Sequence, residues 1–379
     1  MKLADRYDLG AQGSAAPLTG WLARLHLDAA LLLGLLALAG GGLVILYSAS
    51  GEDLDEVARQ GARFAVAFVA MVVLAQVSPQ TLRRWTPRLF LAGLLLLIAV
   101  LVMGEIGKGA QRWLDLGVIR FQPSELMKLA VPMMVAWHLA ESPLPPRALR
   151  LLASALLIVV PAALVAKQPD LGTALLIASS GFFALFLAGL PWRLLAGFAA
   201  AAAAFVWPAW EFLLHQYQRE RVHTFFNPER DPLGAGYHII QSKIAVGSGG
   251  VYGKGWLNGT QSQLDFLPER HTDFIFAVFS EEFGLIGALL LLAVYLYVVL
   301  RGLYIALQAQ DTFSRLLAGS LSLTFFVYVF VNTGMVVGLL PVVGLPLPLI
   351  SYGGTSMVTV MAGFGILMSI HTHRKLLSP

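Results

Sequence analysis

Long apolar runs separated by short polar breaks occupy nearly the whole chain. A helix needs about 20 apolar residues to cross roughly 30 Å of hydrocarbon. Ten such spans are predicted, at residues 28–47, 62–77, 89–103, 123–139, 148–166, 171–190, 194–214, 274–300, 316–339 and 351–370. Because lipid offers the backbone no hydrogen-bond partners, these spans are expected to be helices. The pattern therefore predicts an all-α integral membrane protein.

One long polar segment interrupts the spans, between the seventh and the eighth. It covers residues 215–272 and opens with alternating aromatic and basic residues, which predict a short helix lying flat at the membrane surface. Its glycine clusters indicate turns in a compact loop, because no strand precedes them as in a nucleotide-binding loop. Residues 28–371 are thus predicted to form one membrane domain between tails at 1–27 and 372–379, and the first span is expected to be a retained anchor rather than a signal peptide.

Positive charges are divided unevenly between the short loops. They concentrate on the side of the chain's beginning, at Arg24, Arg83, Arg84, Arg88, Arg147, Arg150, Arg193, Arg315, Arg374 and Lys375. The first loop on the opposite side instead carries Glu52, Asp53, Asp55 and Glu56. The positive-inside rule then predicts that both termini are cytoplasmic and that the loop 215–272 faces outward.

Composition agrees with the span pattern and excludes several kinds of site. Hydrophobic residues make up 57% of the chain and charged residues 13%, and the mean hydropathy is +0.73. Soluble domains carry roughly one quarter charged residues. A net charge of +4 gives no reason to expect nucleic-acid binding. The absence of cysteine from the sequence excludes disulfides, a thiol nucleophile and thiolate metal ligands.

Two charged residues lie at the start of the fourth predicted span. Glu125 and Lys128 are three residues apart, so they share one face of a helix and can pair. One interpretation is a local ion pair that lets both charges enter the membrane. The other is that both line a water-filled cavity on a substrate path, because ionisable groups inside membranes commonly do so.

Two more charged residues stand next to predicted spans on the outer side. Asp170 follows a proline and precedes the sixth span, where it could cap the helix or belong to a functional site. Arg112 stands beside Trp113, which is typical of an interfacial anchor, but a guanidinium can also hold phosphate oxygens.

A polar stretch enters the eighth span directly. Glu269, Arg270, His271 and Asp273 precede a long apolar run. Charged groups are expensive at that depth, so we expect this stretch to perform chemistry at the membrane surface. Asp273 could alternatively only cap the eighth span. Slightly further on, Glu281 and Glu282 could help to bind a cation, although no spacing of histidine and carboxylate residues defines a metal site.

Several motifs spread over some 250 residues resemble the SEDS family of bacterial cell-wall proteins. The resemblance rests on Pro123-Ser-Glu125 with Lys128, Gln168-Pro-Asp170-Leu-Gly-Thr173, Gly247-Ser-Gly-Gly250, His271-Thr272-Asp273-Phe274, Asn332, and Leu349-Ile350-Ser351-Tyr352-Gly353-Gly354-Thr355-Ser356. It covers the chain after about residue 28 and includes the count of ten spans. The chain is more similar to the elongation member of the family than to the division member. Asp265 is an additional acid near the motif, with no role assigned to it.

The resemblance implies a peptidoglycan glycosyltransferase that polymerises lipid II on the outer face of the cytoplasmic membrane. It also implies a partner, a class B penicillin-binding protein that crosslinks the new strands. Two rival hypotheses are a flippase for the lipid-linked precursor and a non-catalytic scaffold that activates the partner. A buried Glu-Lys pair would serve a flippase as well, but a flippase needs no carboxylate in a loop on the sugar side.

The implied chemistry assigns roles to particular residues. Asp273 is the expected general base, and Lys128, Arg112, Arg219 and Arg221 are candidates to stabilise the departing diphosphate. By the resemblance, Glu125, Lys128 and Asp170 are expected to line a cavity open to the outer leaflet, and His271 is expected at the site. The sequence requires no cofactor and leaves a divalent cation open.

Overall fold

The apolar runs form helices in the structure of the protein. This computed structural model describes residues 20, 22, 24–107, 110–115, 120–213, 216–230, 235–264, 266–267 and 269–374. Within these ranges the helices are α1 Ala29–Ala49, α2 Leu54–Gln76, α3 Pro79–Met103, α4 Pro123–Ala140, α5 Ala148–Lys167, α6 Leu171–Leu187, α7 Trp192–Pro208, α8 Gln216–Phe226, α9 Ala235–Ser248, α10 Thr260–Gln263, α11 Ile275–Leu307, α12 Thr312–Val336 and α13 Thr355–Thr372.

The predicted fold class, an all-α membrane protein, is confirmed. In the described part of the chain, eight helices are long and apolar enough to cross a membrane, namely α1, α2, α3, α5, α7, α11, α12 and α13. Helix α6 is apolar but has only 17 residues. Helix α4 has 18 residues and carries Glu125 and Lys128 among its buried side chains. Ten long helices thus match the ten predicted spans in order, and eight of them meet the length and composition of a span.

Helices α2 and α3 begin earlier than predicted, because each starts with a polar turn. Asp53 caps α2 by accepting from the amide of Asp55 at 2.7 Å. Ser78 caps α3 by accepting from the amide of Thr81 at 3.3 Å, and Pro79 occupies the first helical position. Such caps satisfy amides that have no partner within the helix. The helices therefore extend beyond the predicted spans, whose starts at residues 62 and 89 were placed where the mainly apolar runs begin.

A small sheet lies between α3 and α4, where no strand was predicted. Strands β1 Glu105–Gly107, β2 Ala110–Asp115 and β3 Arg120–Phe121 pair in that order, and both pairs are antiparallel. Leu114 pairs with Phe121 in the register of β2 and β3. The sheet matters because β2 carries Arg112.

The most buried helices surround α4. Helix α12 packs against α11, α6 and α4, while α2 packs against α13. Small side chains allow these close approaches, as where Ser180 of α6 accepts a hydrogen bond at its carbonyl from the hydroxyl of Ser320 in α12. Helix α7 is by contrast exposed along its described length. The buried bundle therefore holds the ends of α4, α6, α11 and α12 in fixed relation.

In its described residues the predicted outer loop contains three α-helices, α8, α9 and α10, a short 3₁₀ helix at Pro228–Arg230 and the segment that links α10 to α11. Helix α8 forms where a short helix was predicted at residues 217–226. Helix α13 begins at Thr355 and not at the predicted residue 351, because residues 348–352 form turns. Asp265, Lys375 and most of the predicted tails lie outside the described residues.

Candidate active site

A cavity of about 560 Å³ with both polar and apolar walls lies between the start of α6, the middle of α8 and the segment before α11. It is lined by Arg112 of β2, Asp170 at the start of α6, Arg221 of α8, Glu269, Thr272 and Asp273 before α11, Tyr352 before α13, and the loop 341–346 after α12. Four residues singled out in different parts of the sequence therefore meet in one cavity, namely Arg112, Asp170, Arg221 and Asp273.

The backbone before α11 is fixed by three consecutive hydrogen bonds. The carbonyl groups of residues 271–273 accept in turn from the amide of Tyr352 at 2.8 Å, from the hydroxyl of Ser351 at 2.6 Å and from Nδ2 of Asn332 at 3.0 Å. These donors come from α12 and from the turn before α13. Since every carbonyl of the segment is held from another element, Asp273 is placed by tertiary contacts.

The donors that hold this segment are themselves held. Nδ2 of Asn332, which is fully buried, also donates to the carbonyl of Leu345 at 2.8 Å. The hydroxyl of Ser351 accepts from the amide of Leu347 at 2.8 Å. The signature residues in this part of the chain thus form a cradle for Asp273, a role that the sequence did not reveal.

Asp273 stands one residue before the N-cap position of the helix that follows it. That position belongs to Phe274, whose side chain makes no capping hydrogen bond. The side chain of Asp273 is half-buried and lines the cavity. This placement favours a role in the cavity over the interpretation of Asp273 as only a helix cap.

Asp170 is both a helix cap and part of the cavity wall. Its Oδ1 accepts from the amide of Thr173 at 3.2 Å, which confirms the predicted cap of α6. Its Oδ2 lies 3.6 Å from Nε of Arg112, whose other guanidinium nitrogen donates to the carbonyl of Pro169 at 2.9 Å. Asp170 thus orients Arg112 at the rim while it remains mostly buried itself.

Glu125 and Lys128 form the predicted ion pair. Nζ of Lys128 donates to Oε1 of Glu125 at 2.7 Å, and both side chains are buried. Lys128 also lies 5.4 Å from the ring centre of Tyr328. The pair lines other spaces than Asp273 does. Lys128 lines a small apolar pocket between α4, α12 and α13, and Glu125 lines an apolar groove of about 420 Å³ beside Arg63 of α2.

The other predicted site residues lie at different distances from the cavity. Arg221 lines it and donates to the carbonyl of Val342 at 3.4 Å. Arg219 donates to the carbonyl of Glu211 at 2.9 Å and is not among the lining residues. The ring of His271 lies nearly perpendicular to that of Tyr352, with 5.8 Å between ring centres, and His271 is also not among the lining residues.

Three polar lining residues, Glu269, Thr272 and Tyr352, were given no individual role in the sequence-based prediction. Glu269 accepts a hydrogen bond from the hydroxyl of Thr272 at 2.8 Å, and Tyr352 faces both the cavity and the guanidinium of Arg63, 4.2 Å from its ring centre. Proximity to Asp273 in the chain was the available signal for Glu269 and Thr272. For Tyr352 the signal was its place in the quoted motif at residues 349–356.

The two acidic residues considered for cation binding lie elsewhere. Glu281 accepts from Nζ of Lys254 at 2.7 Å, and Glu282 accepts from the hydroxyl of Ser48. Among the described residues, no group of three or more histidine or carboxylate side chains is placed to hold a metal ion. These acids are instead bonded to other parts of the chain.

The sequence is similar to characterised proteins along almost its whole length. The family model for FtsW, RodA and SpoVE, described as cell cycle protein, matches residues 22–376. The peptidoglycan glycosyltransferase MrdB of Escherichia coli K12 is 57% identical over 355 residues, which cover 94% of this chain and 96% of MrdB.

The structure is also similar to solved structures. One match is a chain from work on the structural coordination of polymerization and crosslinking by a peptidoglycan synthase complex. It has a TM-score of 0.80 and 34% identity, and the match covers 92% of this chain and 98% of that one. The rod shape determining protein RodA of Thermus thermophilus matches with a TM-score of 0.69 and 31% identity, over 92% of this chain and 98% of RodA.

Proposed function

The chain belongs to the family of FtsW, RodA and SpoVE cell cycle proteins and is a membrane-embedded peptidoglycan glycosyltransferase, and we propose that it polymerises lipid II with Asp273 as the general base. Lipid II is a disaccharide-pentapeptide carried on undecaprenyl diphosphate. The observation that carries the proposal is the placement of the Asp273 carboxylate in a cavity whose rim holds Arg112 and Arg221.

A carboxylate in this position suits the reaction. The attacking sugar hydroxyl is a weak nucleophile, and a positioned base that takes its proton accelerates such a step by about 10² to 10⁴-fold. The donor sugar is α-linked to its lipid and the glycan is β-linked, so one direct displacement with inversion suffices. By analogy with inverting glycosidases, this route needs one base and forms no covalent sugar intermediate.

The departing diphosphate requires cations more than it requires an acid. Arg112 and Arg221 line the same cavity as Asp273 and can each donate to phosphate oxygens. Asp170 keeps the guanidinium of Arg112 at the rim, 3.6 Å away. We therefore assign the departing diphosphate to the side of the cavity that carries Arg112 and Arg221. Glu125 and Lys128, in their neighbouring pockets, are assigned to shaping the path along which the lipid reaches it.

The experiment that tests the base is polymerisation of labelled lipid II by the purified, reconstituted protein. Asp273→Asn keeps the size and polarity of the side chain but cannot accept the proton, so glycan strands are expected to disappear while folded protein remains. Glu269→Gln is the matched comparison, since Glu269 is the other acid before α11 that lines the cavity. Loss of polymerisation in Glu269→Gln alone would transfer the role to Glu269.

The cavity is proposed to face the outside of the cell, with both termini in the cytoplasm. The support is the surplus of arginine in the short loops at the other ends of the helices. Because the chain contains no cysteine, single cysteines can be introduced at Gln263 and at Arg84 and treated with a membrane-impermeant maleimide in intact cells. Labelling of Gln263→Cys alone is expected, and labelling of Arg84→Cys alone would reverse the orientation.

A class B penicillin-binding protein is the proposed partner in cell elongation. The support is the similarity to MrdB and RodA and to a chain from a peptidoglycan synthase complex that coordinates polymerization with crosslinking. Reconstitution with and without that partner tests this proposal, and the partner is expected to raise the rate of strand formation. The same vesicles distinguish the flippase hypothesis, since a flippase would move lipid II across the bilayer without forming strands.

A further inference from the structure

Helix α11 is interrupted about two turns after it begins. Gly284 has φ 65° and ψ −165°, a conformation outside the helical region. Residues with side chains rarely adopt such a positive φ, and glycine adopts it readily. The break separates a first segment, Ile275–Phe283, from the remainder of the helix, and Asp273 stands just before that first segment. The direction of this segment is therefore not set by the rest of α11.

The outer loop is inserted into this break. In an uninterrupted helix the amides of Leu285 and Ile286 would donate to the carbonyls of Glu281 and Glu282. Here the two amides donate to the carbonyls of residues 250 and 251 at 3.0 and 3.1 Å, and the two carbonyls accept from the amides of residues 254 and 255, both at 3.0 Å. The turn 250–255 thus replaces two helical hydrogen bonds with four bonds to the loop.

These four bonds make the loop and the break depend on each other. Backbone groups without partners are costly in a membrane, so the break in α11 is stable only while the turn 250–255 is docked. The docked turn in turn fixes the direction of segment 275–283. The outer loop and this segment consequently behave as one unit, with Asp273 at its edge.

A buried carboxylate fastens the same unit. The side chain of Glu281 is completely buried and accepts from Nζ of Lys254 at 2.7 Å, from the hydroxyl of Thr260 at 3.1 Å, from the amide of Gln261 at 3.1 Å and from the hydroxyl of Ser248 at 3.3 Å. All four donors belong to the outer loop. Charge-assisted hydrogen bonds of this kind are stronger than neutral ones. Glu281 therefore holds α9, α10 and the turn between them against α11.

We propose that Glu281 is a positioning residue for glycosyl transfer, which locks the outer loop to the first segment of α11 and so holds Asp273 at the reacting hydroxyl. The proposal rests on the proposed function, in which Asp273 is the base. Glu281 is not among the residues that line the cavity of Asp273, and it acts on the base through the contacts of its side chain with the outer loop. The cradle formed by Asn332 and Ser351 holds Asp273 from one side, and the Glu281 lock holds the segment that follows it from the other.

The neighbouring acid provides a matched control. Glu282 is also buried in α11, but its side chain accepts from Ser48 of α1 and from the amide of Leu257, and from no described residue of α9 or α10. Glu281→Gln removes the charge that binds Lys254, whereas Glu282→Gln makes the same chemical change next to it, keeps an oxygen that can accept from Leu257 and leaves the pair of Glu281 with Lys254 intact. A purely structural need for a buried acid in this turn would affect both variants equally.

The test is steady-state polymerisation of lipid II by the reconstituted full-length chain. A displaced base weakens the chemical step more than binding, so Glu281→Gln is expected to lower kcat by about 10- to 100-fold with an unchanged KM. Lys254→Gln is expected to act in the same direction, and its side chain is 29% exposed, so this variant tests the lock if Glu281→Gln does not fold. The double variant Glu281→Gln with Lys254→Gln is expected to regain part of the kcat that Lys254→Gln alone loses. It no longer contains an unpaired buried charge at position 281.

Three results would overturn the proposal: a parental kcat in folded Glu281→Gln or Lys254→Gln protein, an equal loss in Glu282→Gln, or a rise in KM with kcat unchanged. Thermal unfolding in detergent verifies folding for each variant. Failure of the base assignment is recognised separately, because only Asp273→Asn reports on it. Strand formation by Asp273→Asn would contradict the assignment of Asp273 as the base. The difference in kcat between Glu281→Gln and Glu282→Gln would still report on the role of Glu281.

Discussion

Asp273 owes its position to residues far away in the chain. Its carbonyl is held by Asn332, 59 residues later, and the carbonyl before it is held by Ser351, 79 residues later. The sequence identified the carboxylate, because an acid at the mouth of an apolar run is costly and fits a family motif. It could not identify the cradle, since hydrogen bonds across such separations leave no local pattern.

Replacing Asn332 tests the cradle at the level of one side chain. Asn332→Leu keeps the branched shape of the side chain, with a larger volume, but removes both donated hydrogen bonds and leaves two carbonyls without that partner. The free energy of unfolding is expected to fall by about 1–3 kcal/mol, and kcat is expected to fall because the segment of Asp273 loosens. Thermal unfolding and polymerisation rates measure the two effects.

The control is Thr333→Val, because the hydroxyl of Thr333 donates to carbonyls of its own helix. An Asn332→Leu protein with parental kcat would show that the cradle is dispensable.

Variants of Glu125 and Lys128 test whether the two residues form only a structural ion pair or also line the path of the substrate. Lys128→Met leaves a buried carboxylate unpaired, which is expected to cost about 3–5 kcal/mol of stability. The double variant Glu125→Gln with Lys128→Met is expected to recover most of that stability, because no charge is then left unpaired. The unfolding midpoint measures this recovery.

Activity of the same double variant decides between the two interpretations. If the pair lines the lipid path, the KM for lipid II is expected to stay raised although stability has returned. A double variant with parental stability and parental KM would reduce the pair to a structural role.

Helix positions followed from the apolar pattern, but the ends and interruptions of helices did not. All ten predicted spans correspond to long helices, since a run of some 20 apolar residues has few alternatives in lipid. The polar first turns of α2 and α3 were missed because their caps lie outside the apolar pattern. The break at Gly284 was missed as well, because it depends on a loop turn some 30 residues earlier.

The glycine cluster at the end of α9 offers a matched pair of substitutions. A Cβ at Gly249 would lie 2.1 Å from the carbonyl oxygen of Ser280, whereas a Cβ at Gly247 would have nothing within 4 Å. Gly249→Ala is therefore expected to push the loop from α11 and to lower both stability and polymerisation. Gly247→Ala is expected to be neutral or to stabilise α9 by about 0.5–1 kcal/mol. Thermal unfolding compares the two, and equal effects would contradict the close approach.

Helix α9 also contacts the start of α11 through a titratable side chain, that of His238. His238 stacks on Phe274 with 5.8 Å between ring centres. Burial lowers the pKa of His238 below its usual 6.5, although the carboxylate of Glu269 opposes this shift. Below about pH 6.5 the unfolded chain then binds a proton that the folded chain resists, so folding loses stability as the pH falls.

The corresponding prediction concerns His238→Phe, which keeps an aromatic ring to stack on Phe274 but removes the imidazole that can bind a proton. Between about pH 7.5 and pH 5.5 the unfolding midpoint is expected to fall less in His238→Phe than in the parental protein. Other histidines contribute to both proteins equally, so the difference between the two slopes isolates His238. Identical slopes would contradict a depressed pKa at this contact.

At the scale of the whole molecule, the site is assembled from five separate parts of the chain. Arg112 comes from the small sheet, Asp170 from the start of α6, Arg221 from the outer loop, Asp273 from the start of α11 and Tyr352 from the turn before α13. The sequence supplied the charged residues and, through the family resemblance, their chemistry. It could not show that Lys128 and Asp273 face different spaces, because that depends on how α4 is rotated within the bundle.

The same assembly explains why the outer loop belongs to the membrane domain. It contributes Arg221 to the cavity, inserts a turn into α11 and is fastened by Glu281. A partner that binds this loop would therefore act on the position of Asp273 directly. This arrangement connects the cavity that contains Asp273 with the surface of the outer loop.

The most direct test of the central claim is the rate at which reconstituted Asp273→Asn protein forms glycan strands from labelled lipid II. We expect folded, lipid-binding protein that makes no detectable strands, because the carboxylate that accepts the hydroxyl proton has been removed while the cavity and its arginines remain. Strand formation at the parental rate would contradict the account and would require a different base.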